Sequence, residues 1–240
     1  MTADLALVTI ACALIVHEAL RAWLTGVYGE DTGCGGTPCW RSAVVLIYQI
    51  VLLPLCTCTG LSVHKSLRRW CDASSKSDAL DLPARIGVHT FYLFMGGDLV
   101  LHIYLRSRVI VLRETILAHH IICLLGHAYA TSICPIGSVP CFIFAISCLE
   151  LGSGASNIFF LLRCEHPALS INVAPIVLIL GQTLSQIGAT WAIVKWNERA
   201  RAGGMPASCR WLPMAISFAL FYLRQKDAVM LSIGWKVPDC

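Results

Sequence analysis

Two adjacent imidazoles sit in an apolar run, "RETILAHHIICLLGHAYA", residues 113–130: His119 and His120, with His127 one heptad after the second. A histidine can act as a general base or as a nucleophile, and a carboxylate hydrogen-bonded to its ring fixes the tautomer and stabilises the imidazolium. The neighbouring stretches supply such carboxylates. Asp98 lies in "FYLFMGGDLVLHIYL" and Glu150 in "SCLELGSGASN", both in apolar surroundings.

On a helix, side chains three, four and seven apart share a face. Asp98 and His102 therefore point one way, with His89 about half a turn round. His120 and His127 nearly eclipse, whereas His119 lines up with Thr115, Cys123 and Gly126. Ser147, Glu150, Ser153, Gly154 and Asn157 form one stripe. Gln182 and Gln186 share another, flanked by Ser185 and Gly188, and His17, Glu18 and Arg21 cluster near one end of the first stretch. The plain alternative is structural. Gln182 and Gln186 serve as hydrogen bonds between helices, Ser153, Gly154 and Gly188 as close-packing positions, Asn157 as either, and the acids and imidazoles as a buried ion network.

The elements that position these groups follow from composition. Hydrophobic residues make up 57% of the 240 and charged residues 13%, with a mean hydropathy of +0.70. A soluble domain carries about 25% charge, so the expected solvent is a bilayer. Spanning helices need about 20 predominantly apolar residues. The candidates are 5–24, 43–63, 86–105, 116–133, 139–162 and 171–194, and 211–223 is a shorter, weaker seventh. None alternates apolar and polar with period two, which excludes a membrane β-barrel. The expectation is an all-α integral membrane bundle of six, or seven, transmembrane helices forming a single domain over 1–240, with 196–240 holding a terminal loop and the weak last helix.

The first stretch lacks the basic start of a signal peptide and carries His17, Glu18 and Arg21, so it reads as a retained span. The strongest Lys/Arg loop is 64–85, which places that loop, and therefore the N-terminus, in the cytosol. The totals of the two sides agree if 211–223 does not span and tie if it does. The net charge of +4 suits anionic headgroups, and no nucleic-acid module is present.

Most of the thirteen cysteines read as small buried hydrophobes. Cys34 and Cys39 in "CGGTPC" are a candidate disulfide, without the further ligands that a zinc site needs. Cys71, on the basic loop, is a candidate palmitoylation site. The end "VPDC" shows no retrieval signal, and Cys240 is misplaced for prenylation.

The order of these motifs resembles the TLC-domain family, which includes ceramide synthases, translocon-associated membrane proteins, a neuronal ceroid lipofuscinosis protein and lipid-homeostasis relatives. That family has an Asp in one span, His-His in the next, and a Glu followed seven residues later by Asn in the third. Asp98, His119 and His120, Glu150 and Asn157 match this order and spacing, and Trp40 and Ser42 look like the opening of the preceding span. The similarity runs over about 40–165.

Departures narrow it. Gln49 stands where the family often has His, Gly152-Ser153-Gly154-Ala155 replaces its Ser-Thr-Pro, and Phe159-Phe160 replaces its Arg-Trp. No aspartate occurs between Asp98 and Asp227, so the downstream acids of ceramide synthases are missing, and so is a homeobox-like segment. The resemblance implies a non-synthase member that binds, senses or handles membrane lipids, with Asp98, His119, His120, Glu150 and Asn157 as its polar core; helical spacing adds His102 and His127 to that core. It needs no metal or cofactor and has lipids as partners. The endoplasmic reticulum is the implied membrane, with the plasma membrane second. The alternative is an acyltransferase in which His119 or His120 is the base or nucleophile and acyl-CoA the substrate. A transporter or channel is the third class.

Overall fold

The structure, a computed structural model, describes residues 3–29, 39–77, 79–104, 113–166 and 173–232. Among these every regular element is helical. In chain order they are α1 (Ala3–Tyr28), α2 (Cys39–Leu46), a π-helical turn (Ile47–Leu52), α3 (Leu53–His64), α4 (Leu67–Ser75), α5 (Leu82–Tyr104) and α6 (Arg113–Ser132). A 3-10 turn (Ile136–Ser138) then leads into α7 (Val139–Glu165), followed by α8 (Ala174–Ala202) and α9 (Ala207–Ser232).

Each apolar stretch read from the sequence becomes a long helix. The stretch 43–63 is a continuous helical rod from Cys39 to His64, built of α2, the π turn and α3. The π turn has a local cause. Pro54 has no N–H to give the carbonyl four residues back, and the ladder reaches one residue further: the Leu53 N–H bonds the Tyr48 carbonyl. Three of the described helical stretches are long and apolar enough to cross a membrane: Cys39–His64, Ile136–Arg163 and Pro175–Ala202.

Two elements depart from the sequence reading. The stretch 211–223, expected to be short and weak, lies within the 26-residue helix α9, which carries Pro213 in its second turn. Pro213 lies inside the helix and has no N–H to give the Cys209 carbonyl four residues back; the Tyr129 hydroxyl donates to that carbonyl at 2.8 Å instead, and the helix continues through the proline. The loop 64–85 also holds a helix, the amphipathic α4. Ser66 caps it by accepting the Arg69 N–H. Leu67, Trp70, Cys71 and Ser74 face inward and Arg68 and Arg69 outward.

α7 is central. It packs most extensively on α8, and also against α2, α3 and α4. The α7–α8 approach is close because a side chain is missing at two points: a Cβ on Gly181 would stand 2.5 Å from the Ala155 Cβ, and one on Gly152 would meet the Ser185 hydroxyl. α9 folds back along α8 through Gly203-Gly204. Gly204 adopts φ +83°, the left-handed conformation that glycine enters without steric cost, and the Gly203, Gly204 and Met205 N–H groups take up the last carbonyls of α8.

The surface is as apolar as the sequence implied. On α8, Ile176, Leu180, Leu184, Ile187 and Trp191 are exposed at helical spacing, forming one unbroken stripe. Trp211, Leu212, Phe218, Tyr222 and Leu223 are exposed on α9. In water such stripes would be aggregation sites; against acyl chains they are the ordinary outer surface of an integral membrane protein.

Candidate functional site: a buried polar row

The inward faces of α2, α5, α6, α7 and α9 carry a row of polar side chains in an otherwise apolar interior. At one end is Asp98, 2% exposed on α5. Its Oδ2 accepts from the Arg41 guanidinium of α2 at 2.7 Å and lies 2.8 Å from His120 Nε2 of α6. One carboxylate oxygen therefore gathers three helices. His120 is 5% exposed.

The middle is centred on Gln49 in the π turn. Its amide donates to Glu150 Oε2 of α7 at 2.8 Å, and its carbonyl accepts from the Asn157 amide at 2.9 Å. Asn157 also donates to the Ser153 carbonyl. Glu150 is 3% exposed. One turn further back on α7, the Ser147 hydroxyl meets Thr57 of α3 at 2.6 Å and donates to the Leu53 carbonyl.

The far end belongs to α9. Arg224 Nη2 donates to the Leu149 carbonyl at 2.6 Å and to the Ser153 hydroxyl. Arg224 lines a cavity of about 50 Å³ together with His119, Cys123, Glu150 and the apolar Phe91 and Phe221. Glu150 lies within electrostatic range of Arg224, His120 and Asp98. Two acids and two guanidiniums thus share one low-dielectric interior, which is the arrangement that makes buried charge tolerable.

The paired histidines divide between these clusters. Their rings are 5.7 Å apart and perpendicular. His120 turns to Asp98, whereas His119 turns to the cavity with Cys123 Sγ 3.6 Å from its Nε2. His127, expected on the same face as His120, is fully buried among Phe91, Tyr92 and Phe142. Its Nε2 donates to the Val88 carbonyl at 3.1 Å. Its hydrogen bond and its ring contacts make it a core histidine that pins α6 to α5, and it joins neither polar cluster. The side chains of His102, His17 and Thr115 lie outside the described residues, as does Cys34.

The glutamines behave as the structural alternative required. Gln182 donates to the Gly152 carbonyl and the Ser156 hydroxyl, and Gln186 to the Phe221 carbonyl. Glu18 and Arg21 pair on α1, and the Arg21 guanidinium lies 5.9 Å over the Trp40 ring. Among the described residues no group of three or more His, Cys, Asp and Glu side chains is arranged to hold a metal ion.

Besides Thr57, three members of the row were not singled out in the sequence as site residues. Arg41 lies between Trp40 and Ser42, just outside the stretch that began at 43. Arg224 follows directly on the stretch that ended at 223. Both were cut off by drawing spans where charge begins, although a guanidinium at the end of an apolar run is the natural counter-ion for an intramembrane acid. Gln49 was noted only as a departure from His, yet it holds the centre of the row.

No protein-family model, curated protein or solved structure matches the chain.

Proposed function

We propose that this chain is a multipass membrane protein of the TLC-domain type, with six or seven spans, that binds membrane lipids at the His119–Glu150–Arg224 cavity. The endoplasmic reticulum is its proposed home. The observation that carries the reading is the composition of that cavity. A guanidinium, a carboxylate and an imidazole line it, and the rest of its wall is hydrocarbon and aromatic ring apart from Cys123. A polar headgroup atom has donors and acceptors at one end, and an acyl chain has apolar surface at the other. At about 50 Å³ the cavity takes a headgroup fragment, so the chain of the lipid lies along the exposed apolar faces of α6 and α9.

The acyltransferase reading has one observation of its own, the Asp98–His120 pair at 2.8 Å, since a carboxylate-oriented imidazole is a general base. Its weakness is that the two requirements fall on different residues. His120 has the orienting carboxylate and is not on the cavity wall. His119 is on the wall, and its nearest polar partner there is a thiol.

The test is purification in a mild detergent, mass spectrometry of co-purified lipid, and turnover assays with long-chain acyl-CoA and sphingoid or lysophospholipid acceptors. Retained lipid that is lost on narrowing the cavity with Cys123→Phe, without turnover, is the expected result. Turnover abolished by His119→Ala or His120→Ala would replace lipid binding with acyl transfer. Protein free of lipid, with wild type and Cys123→Phe alike, would remove the reading.

A further inference from the structure

A second chemical feature lies away from the polar row, where α4 meets the start of α7. Cys71 Sγ and Cys141 Sγ are 3.1 Å apart, from residues 70 positions apart in sequence. Both residues are 1% exposed to solvent. A disulfide requires about 2.05 Å between sulfurs, so closing the bond takes about 1 Å of sulfur movement, within reach of small side-chain rotations.

The two thiols are not sealed in. Both line a pocket of about 380 Å³ with Arg68, Trp191, Lys195 and Arg199, which gives a small reagent a path to them. The hydrogen bond with Cys141 holds the Cys71 thiol below its ordinary range, and the Arg199 charge acts the same way, against the opposing effect of burial. Cys71 is thereby the thiol that supplies the attacking thiolate.

We propose that Cys71 and Cys141 are a reversible thiol–disulfide site that exchanges with a low-molecular-weight disulfide of the glutathione class. The Cys71 thiolate attacks one sulfur of the reagent and expels one thiolate, leaving a mixed disulfide. The Cys141 thiol, giving up its proton, then attacks the Cys71 sulfur and expels the second. Two protein thiols are oxidised and one reagent disulfide is reduced to two thiols, so atoms and electrons balance. The bond would staple the amphipathic α4 to α7 and fix one wall of the pocket. It rests on none of the residues of the lipid reading and stands or falls apart from it.

The experiment is oxidation of the purified full-length protein in detergent with oxidised glutathione. Free thiols are then alkylated under denaturing conditions, and peptides are mapped by mass spectrometry. The expected result is loss of both alkylatable thiols at 71 and 141 and appearance of one linked peptide joining them, reversed by dithiothreitol, with Cys58 still alkylated. Cys141→Ser should accumulate glutathione on Cys71, because the resolving thiol is gone. Alkylation of both residues after oxidation of the wild type, or cross-links spread among other cysteines without a 71–141 peptide, would overturn the proposal. The wild-type map decides the matter even if the variant fails to fold.

Discussion

Arg41 donates to Asp98 across 57 residues of sequence, at 2.7 Å, inside an apolar bundle. Deleting one partner strands the other charge, and a stranded buried charge costs about 3–5 kcal/mol. Asp98→Ala should therefore lower stability by about that much, and Arg41→Met similarly. The double variant Arg41→Met/Asp98→Leu should be less damaged than the sum of the single changes. Unfolding of the four proteins in one detergent, treated as a double-mutant cycle, measures the coupling; strict additivity would show that the pair is not an interacting unit.

The two adjacent histidines should give opposite phenotypes. His120→Ala removes a partner of Asp98 and should cost about 1–3 kcal/mol of stability. His119→Ala enlarges the cavity and removes a polar wall group. It should alter the co-purified lipid while leaving stability within about 1 kcal/mol of wild type. Thermal melts and lipid mass spectrometry on the same preparations read both quantities. A stability loss at 119 as large as that at 120 would contradict this division.

Gln49 serves two partners at once, so its removal is worth more than one hydrogen bond. Gln49→Leu leaves both the Glu150 carboxylate and the Asn157 amide short of a partner, at about 1–3 kcal/mol for each group stranded. Adding Asn157→Leu to Gln49→Leu should cost much less than Asn157→Leu costs alone, because its partner is already gone. Denaturation midpoints of the two single variants and the double variant test it.

Two glycines should respond in opposite directions to the same change. Gly181→Ala places a methyl 2.5 Å from the Ala155 Cβ, and the overpacking should cost about 1–3 kcal/mol. A Cβ on Gly126 of α6 meets nothing within 4 Å. Gly126→Ala should therefore be neutral, or stabilising by up to about 1 kcal/mol through helix propensity. Equal melting shifts for the two variants would refute the α7–α8 contact.

The helices were legible because apolar run length is a strong signal, and their inward faces because helical spacing is fixed: Ser147, Glu150 and Asn157 do share one side of α7. Residue spacing along one helix also separated His119 from His120. It could not say which helix each would meet, and so it paired His120 with His127, whose ring instead finds aromatic neighbours and a backbone carbonyl. The counter-ions Arg41 and Arg224 were hidden by the very criterion that defined the spans, since a charge marks where an apolar run stops. The orientation argument weakens for a related reason. The 64–85 loop placed the N-terminus in the cytosol, but the Lys/Arg totals of the two sides supported that placement only if 211–223 did not span, and that stretch lies in the 26-residue helix α9.

The π turn between Ile47 and Leu52 has a consequence for how this sequence can vary. A π turn holds one residue more than an α turn spanning the same rise, so it amounts to an insertion absorbed within a helix. Removing one residue from 47–52 would take that insertion out and close the rod to a continuous α-helix, with the residues before and after the turn keeping the faces they present now. Arg41 would stay beside Asp98 and Thr57 beside Ser147. The loss would fall on the turn itself, where Gln49 reaches Glu150 and Asn157, so a single-codon deletion there would empty the middle of the polar row while leaving its ends in place.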